Sequence, residues 1–108
     1  KPIVLLINEQ SLSDAEMTAQ GFKALKLGTI IGNETYRWII FTSGVGLVDG
    51  SSVRMPGWGC YSLDGKDLEM SGVQPDIKII NSFEDKINGR DPQVDKAVDE
   101  ILKQLGKK

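Results

Sequence analysis

The sequence predicts one α/β unit, and three features lead to it. A continuous apolar run at residues 2–7 gives way after Asp14 to helical spacing, and a second short apolar run follows at residues 29–31. Two β-prone runs flank the turn dipeptide Asp49-Gly50. The final stretch carries apolar residues at helical intervals behind Asp91-Pro92. Strand, helix and strand in succession form the pattern of a parallel crossover. A D-G dipeptide between apolar runs signals a hairpin.

Each element has its own warrant. Residues 2–7 read PIVLLI, continuous and rich in β-branched side chains, which suits a strand buried on both faces. From residue 14 to about residue 25, Ala15, Ala19, Phe22 and Leu25 lie on or near one stripe, weakened by Gly21 and ended by Gly28. Residues 29–31 close a parallel, right-handed β-α-β unit. Residues 39–41 and 52–55 are expected as two strands around the turn at Asp49-Gly50. Asp64-Gly65 marks another tight turn, and residues 77–80 a further strand after Pro75. Asp91 caps a last helix whose first position is Pro92, where a missing N–H costs nothing. Val94, Ala97, Val98, Ile101, Leu102 and Leu105 give it one apolar face. Gly106 and two lysines end it, with positive charge at the favourable end of the helix dipole.

Composition narrows the function classes. The chain has 108 residues, enough for one core and not two, with 40% hydrophobic and 26% charged residues. A net charge of -2 gives no basic footprint for phosphate backbones, so nucleic acid is not an expected partner. One cysteine and no histidine exclude a disulfide framework and a Cys/His zinc site. The acids Asp91, Asp95, Asp99 and Glu100 lack metal-site spacing and are expected to face solvent; neither a metal nor a cofactor is implied. No apolar run reaches the length of a membrane span. Cys60 has no histidine to activate it and reads as a packed thiol. Gly44-Val45-Gly46 lacks the following helix that a phosphate loop requires. Trp38 and Trp58 fit either a peptide groove or ordinary packing. The chain opens without Met and enters an apolar run almost at once, which predicts a processed or excised piece of something longer.

The stretch NEQSLSDAE, residues 8–16, carries the chemical question. Ser13-Asp14-Ala15-Glu16 fits the S-x-x-E capping box, and Ser11-Leu12-Ser13-Asp14 offers a weaker one. The same position, between a buried strand and a helix, also suits a nucleophile. Free backbone N–H groups and the positive end of the helix dipole would there face an oxyanion. Capping is the commoner use of such a serine, and local sequence leaves both open.

Four further segments bear on the choice: GTIIGNETY (residues 28–36), LVDGSSVRMP (47–56), SLDGKDLEMSGVQPDI (62–77) and GRDPQVDKAVDEI (89–101). With S-D-A-E behind a strand, and in this order, they resemble the catalytic domain of the tricorn-like and C-terminal processing serine peptidases over nearly the whole chain. The resemblance implies a crotonase-like α/β fold, a β-α-β unit with a β-hairpin and a C-terminal helix. It maps the nucleophile to Ser13, three residues before Glu16, and the oxyanion-binding backbone N–H groups to Asp14 and to Ser13 itself. Lysine-type members carry a T-F-G-K-G motif, whereas this chain has Thr35-Tyr36-Arg37-Trp38, with Trp38 at the lysine position. Tricorn-like members use a histidine base oriented through a second serine by a glutamate, which maps to Glu69. The base, the second serine and the other oxyanion donor belong upstream of the nucleophile region.

The expectation is therefore that residues 1–108 form a single catalytic subdomain, the C-terminal piece of a longer peptidase. It would act on a peptide or protein substrate, as a homo-oligomer, in the cytoplasm or the periplasm or exported from a bacterium. The isolated piece would be inactive. A non-catalytic peptide-binding or assembly domain of the same fold is the alternative. A crotonase-type acyl-CoA enzyme shares architecture only.

Overall fold

The computed structural model describes residues 1–106. Lys107 and Lys108, expected to close the last helix, lie outside the described residues. β1 (Val4–Ile7) and β2 (Thr29–Gly32) pair in parallel, Val4 with Thr29 through to Ile7 with Gly32. α1 (Asp14–Ala24) makes the crossover between them. The β-α-β unit stands where the sequence puts it, with its first strand starting at Val4 rather than Pro2. The end of this ladder requires glycine. Gly32 has φ 137°, and a Cβ there would sit 1.8 Å from the Ile7 carbonyl oxygen.

The hairpin differs from its expected boundaries. β3 (Phe41–Gly46) pairs antiparallel with β4 (Ser52–Trp58), from Phe41 opposite Trp58 to Gly46 opposite Ser52. Ile39, expected in the first strand, is instead buried (1% exposed) before the ladder begins. Thr42-Ser43-Gly44-Val45-Gly46 has weak strand propensity, and pairing with β4 extends it regardless. The Gly44-Val45-Gly46 segment lies inside this strand. Pro56 lacks a ladder donor and sits beside the register shift at Phe41/Thr42.

β5 (Ile77–Lys78) joins the free side of β2 in parallel, giving the order β1-β2-β5. It is shorter than residues 77–80, but the Asp76 N–H donates to Ile30 O and the Ile79 N–H to Gly32 O, each at 2.8 Å. α2 (Phe83–Ile87) was not expected. Its start is held by Ser82, whose hydroxyl accepts from the Asp85 N–H at 3.0 Å, and by Asp85, whose carboxylate accepts from the Ser82 N–H at 3.0 Å. Five residues are too few to display an apolar stripe. α3 (Pro92–Gln104) begins as predicted, with the Asp91 carboxylate accepting from the Val94 N–H at 3.1 Å.

Alternation along the strands assigns the two faces of the sheet. Leu5, Ile7 and Ile30 face α1 and pack with Ala19, Phe22 and Val73. Ile31 and Thr29 point the other way, toward α3, where Ala97 is buried and Gln104 Nε2 donates to Thr29 Oγ1 at 3.5 Å. A central strand covered on both faces explains why Ile30 and Ile31 are both fully buried. The sheet covers only one edge of the apolar stripe of α3: Ala97 is buried and Ile101 half-buried, beside Gln93, while Val94, Val98, Leu102 and Leu105 stay exposed.

Candidate functional site

Ser13 stands at the start of α1, as expected, although Asn8 to Leu12 separate it from β1. That connection is a tight turn built on Asn8, whose carbonyl accepts from the Ser11 N–H at 2.9 Å and whose side chain accepts from the Gln10 N–H at 2.9 Å. The backbone at Ser13 has φ 54° and ψ −115°. An N-cap serine has extended backbone and an oxygen bonded to an N–H of the first turn. Ser13 departs from this pattern: its φ is positive, and although Ser13 and Glu16 form the reciprocal capping-box pair, the Glu16 N–H donates to the Ser13 carbonyl at 2.9 Å and the hydroxyl takes no capping hydrogen bond of its own. A non-glycine residue held in such a region costs about 1–3 kcal/mol and persists only where its surroundings impose it. A serine on a strained strand-to-helix turn, hydroxyl unspent, is the geometry of a nucleophile elbow.

Glu16 imposes it. This carboxylate is fully buried and takes four donors. Glu16 Oε2 accepts from the Ser13 N–H at 3.0 Å and the Trp38 N–H at 2.9 Å. Oε1 accepts from the Arg37 N–H at 2.8 Å and from Thr35 Oγ1 at 2.5 Å. The Thr35 hydroxyl oxygen in turn accepts from the Val73 N–H at 2.8 Å. The glutamate of the S-x-x-E pattern thus ties the serine turn to residues 35–38 and, through Thr35, to the segment entering β5. One expectation is corrected here. The Ser13 N–H, assigned to an oxyanion, is already committed to Glu16, which leaves the Asp14 N–H without a hydrogen bond among the described residues.

Ser13 opens into a cleft of about 600 Å³ lined by Leu12, Trp38, Ile40, Thr42, Arg54, Pro56 and Glu69. Glu69, predicted from a segment far along the chain, therefore lines the same space as the serine. It is exposed, and its N–H donates to Asp67 Oδ1 at 2.9 Å in a turn that continues through Met70 at φ 60°. Trp38 stacks on Tyr36 with ring centroids 5.8 Å apart and contributes to the cleft wall. No lysine lines the cleft among the described residues. Trp58 stacks on Phe41 at 6.1 Å and lies outside it. Cys60, expected as a packed thiol, is half-buried and lines a separate apolar pocket against Met17, Gly21 and Leu25 of the α1 region.

The model of peptidase family S41 matches residues 1–79. The chain belongs to peptidase family S41. Among its relatives, a putative tricorn-like protease C-terminal subunit of Sulfurisphaera tokodaii is 39% identical over 98% of the chain and 13% of that protein's length. The tricorn protease of Thermoplasma acidophilum is 33% identical over 95% of the chain and 10% of its own length. A crystal structure of the tricorn protease superposes with a TM-score of 0.90 at 31% identity, covering 98% of the chain and 11% of that structure. The chain thus spans roughly a tenth of the length of these S41 relatives.

Of the residues brought together here, Glu16 and Arg54 were not singled out in sequence. Glu16 was visible as half of a capping box and as the glutamate that marks Ser13, but not as a buried hydrogen-bond hub. Arg54 sits on a strand whose facing cannot be known before its register is.

Proposed function

We propose that the chain is the nucleophile-bearing part of a serine peptidase, with a histidine base supplied by polypeptide outside these 108 residues. The observation that carries this is Ser13, on a strained turn with its hydroxyl unspent, opening into a cleft. Ser13 Oγ would attack a peptide carbonyl and pass its proton to the base, and the base would give that proton to the leaving amine. Water would then hydrolyse the acyl-serine. The Asp14 N–H is oriented by the start of α1 and is free to donate to the oxyanion. Glu69 would orient the base, as the acid of a triad does. The parallel sheet with its crossover helix is the basis for assigning a crotonase-like architecture, with residues 1–108 as the C-terminal piece of a longer peptide- or protein-cleaving enzyme.

A non-catalytic peptide-binding domain is favoured by one observation, the absence of histidine from the sequence. The two separate on paired variants of the full-length protein. Ser13→Ala should abolish peptide hydrolysis. Glu69→Gln should lower kcat by about a hundredfold or more, by analogy with triad acids, while an exposed, isosteric change should leave the thermal midpoint nearly unmoved. Full activity of Glu69→Gln beside an inactive Ser13→Ala would keep the nucleophile and discard the relay. Full activity in both would discard the site.

A further inference from the structure

Among the described residues, Arg54 is the one cation lining the Ser13 cleft. It stands on β4, and the hairpin register turns Thr42, Arg54 and Pro56 to one side, toward the cleft. The residue directly opposite Arg54 is Gly44, which offers no side chain to stop the guanidinium leaning across the strand pair. It does lean: Arg54 Nη2 donates to Thr42 Oγ1 at 2.7 Å. That bond fixes the group while leaving most of its N–H donors unspent.

The chain has three arginines, and the other two are matched. Arg37 pairs with Glu34 at 2.6 Å and Arg90 with Asp85 at 2.9 Å. Arg54 forms no ion pair among the described residues, although Glu69 lines the same cleft. A guanidinium held at one edge, flanked by Leu12, Ile40 and Pro56, presents a planar fork to an incoming carboxylate beside a partly apolar wall. Such forks bind carboxylates in two-point contact, and the apolar wall strengthens the attraction.

We propose that Arg54 binds a carboxylate of the substrate peptide, an acidic side chain or the α-carboxylate at its C-terminus, and so selects the peptides presented to Ser13. This rests on the reading of the cleft as a peptide site. The test uses the full-length protein and an alanine–leucine host peptide, fluorescently labelled, in two series. In one, a single Glu or Gln is moved through the host; in the other, the C-terminus is free or amidated. Affinity is measured on the Ser13→Ala background, where no turnover is needed, and kcat/KM on the active protein. At least one carboxylate position should be preferred by about tenfold, the scale of one charge-assisted contact. That ratio should collapse in Arg54→Gln, recover in part in Arg54→Lys and shrink with added salt. Because each ratio is taken within one variant, losses common to both peptides cancel.

Collapse of the Glu/Gln ratio assigns the side-chain source, and collapse of the acid/amide ratio assigns the C-terminus. Ratios that survive in Arg54→Gln, or are absent from the parent protein, overturn the proposal. Carboxylate-dependent binding lost with Arg54, in a protein that cleaves nothing, would keep Arg54's role and discard the peptidase reading. Cleavage indifferent to Arg54 would do the reverse.

Discussion

A fully buried carboxylate must be met by donors, and Glu16 is met by three backbone N–H groups and the Thr35 hydroxyl. Replacing it by glutamine turns an amide NH2 toward groups that themselves donate, so at least one of them loses its acceptor. The expected cost of Glu16→Gln is about 2 kcal/mol or more, read as a fall in the thermal midpoint. Because one of those donors is the Ser13 N–H, the same change should also relax the serine turn. Full-length Glu16→Gln should then lose peptidase activity at temperatures where it is still folded, whereas a purely structural role would leave activity intact below its midpoint. In sequence this residue is indistinguishable from an ordinary capping-box glutamate, since its other partners lie some twenty residues away (Thr35, Arg37 and Trp38). Ser13 is the reverse case. Its position was legible and its conformation was not, because φ at a serine is decided by what grips its neighbours.

At the scale of elements, the β1–β2 ladder and the α2–α3 corner make the sharpest claims. Gly32→Ala would force a Cβ into the Ile7 carbonyl at a backbone angle L-residues avoid, and should cost about 3 kcal/mol or more by urea denaturation. Gly21→Ala is the control: a Cβ there meets nothing within 4 Å, and removing a mid-helix glycine should stabilise by about 0.5–1 kcal/mol. The corner is a matter of charge. The Ser82 hydroxyl, with Arg90 next, holds the Asp85 carboxyl below its ordinary range. The Asn81 amide, with the Val94 N–H, does the same for Asp91. A depressed pKa in the folded state means stabilisation that is complete above the unfolded value and lost as pH falls through the folded one. The amides of Ser82 and Val94, which donate to these two carboxylates, should therefore keep slow hydrogen exchange at neutral pH and lose it only in acid, below the usual aspartate range. Asp91→Ala should lower the midpoint at neutral pH and converge with the parent in acid. A pH-independent difference between them would remove the carboxylate from the cause.

For the molecule as a whole, the described residues are elongated, 64 × 37 × 21 Å. The core under α1 is small, and β3 beyond Phe41 and all of β4 are exposed. A two-stranded hairpin without a covered face is marginal by itself. In the isolated 108-residue piece its amides should exchange far faster than those of β1 and β2. The same piece should hydrolyse peptides no faster than its own Ser13→Ala variant, because a serine hydroxyl without a base is a poor nucleophile near neutral pH. Serine-dependent turnover by the purified piece would show that the base lies within it.

The β-α-β unit, the capped last helix, the D-G turn and the position of Ser13 were all determined by the sequence itself. Each depends on residues close together in the chain: an apolar run, a 3.6-residue period, an Asp-Pro start, a dipeptide that favours one turn. The family was legible for a related reason, since S-D-A-E and D-G-x-x-L-E-x-x-G-V-x-P-D are local strings. Only tertiary structure decided the start of β3 at Phe41, the burial of Ile39, the commitment of the Ser13 N–H to Glu16, and the meeting of Ser13, Trp38, Arg54 and Glu69 in one cleft. These depend on register and on hydrogen bonds across long separations, where local propensity differs by fractions of a kcal/mol and a single buried contact outweighs it.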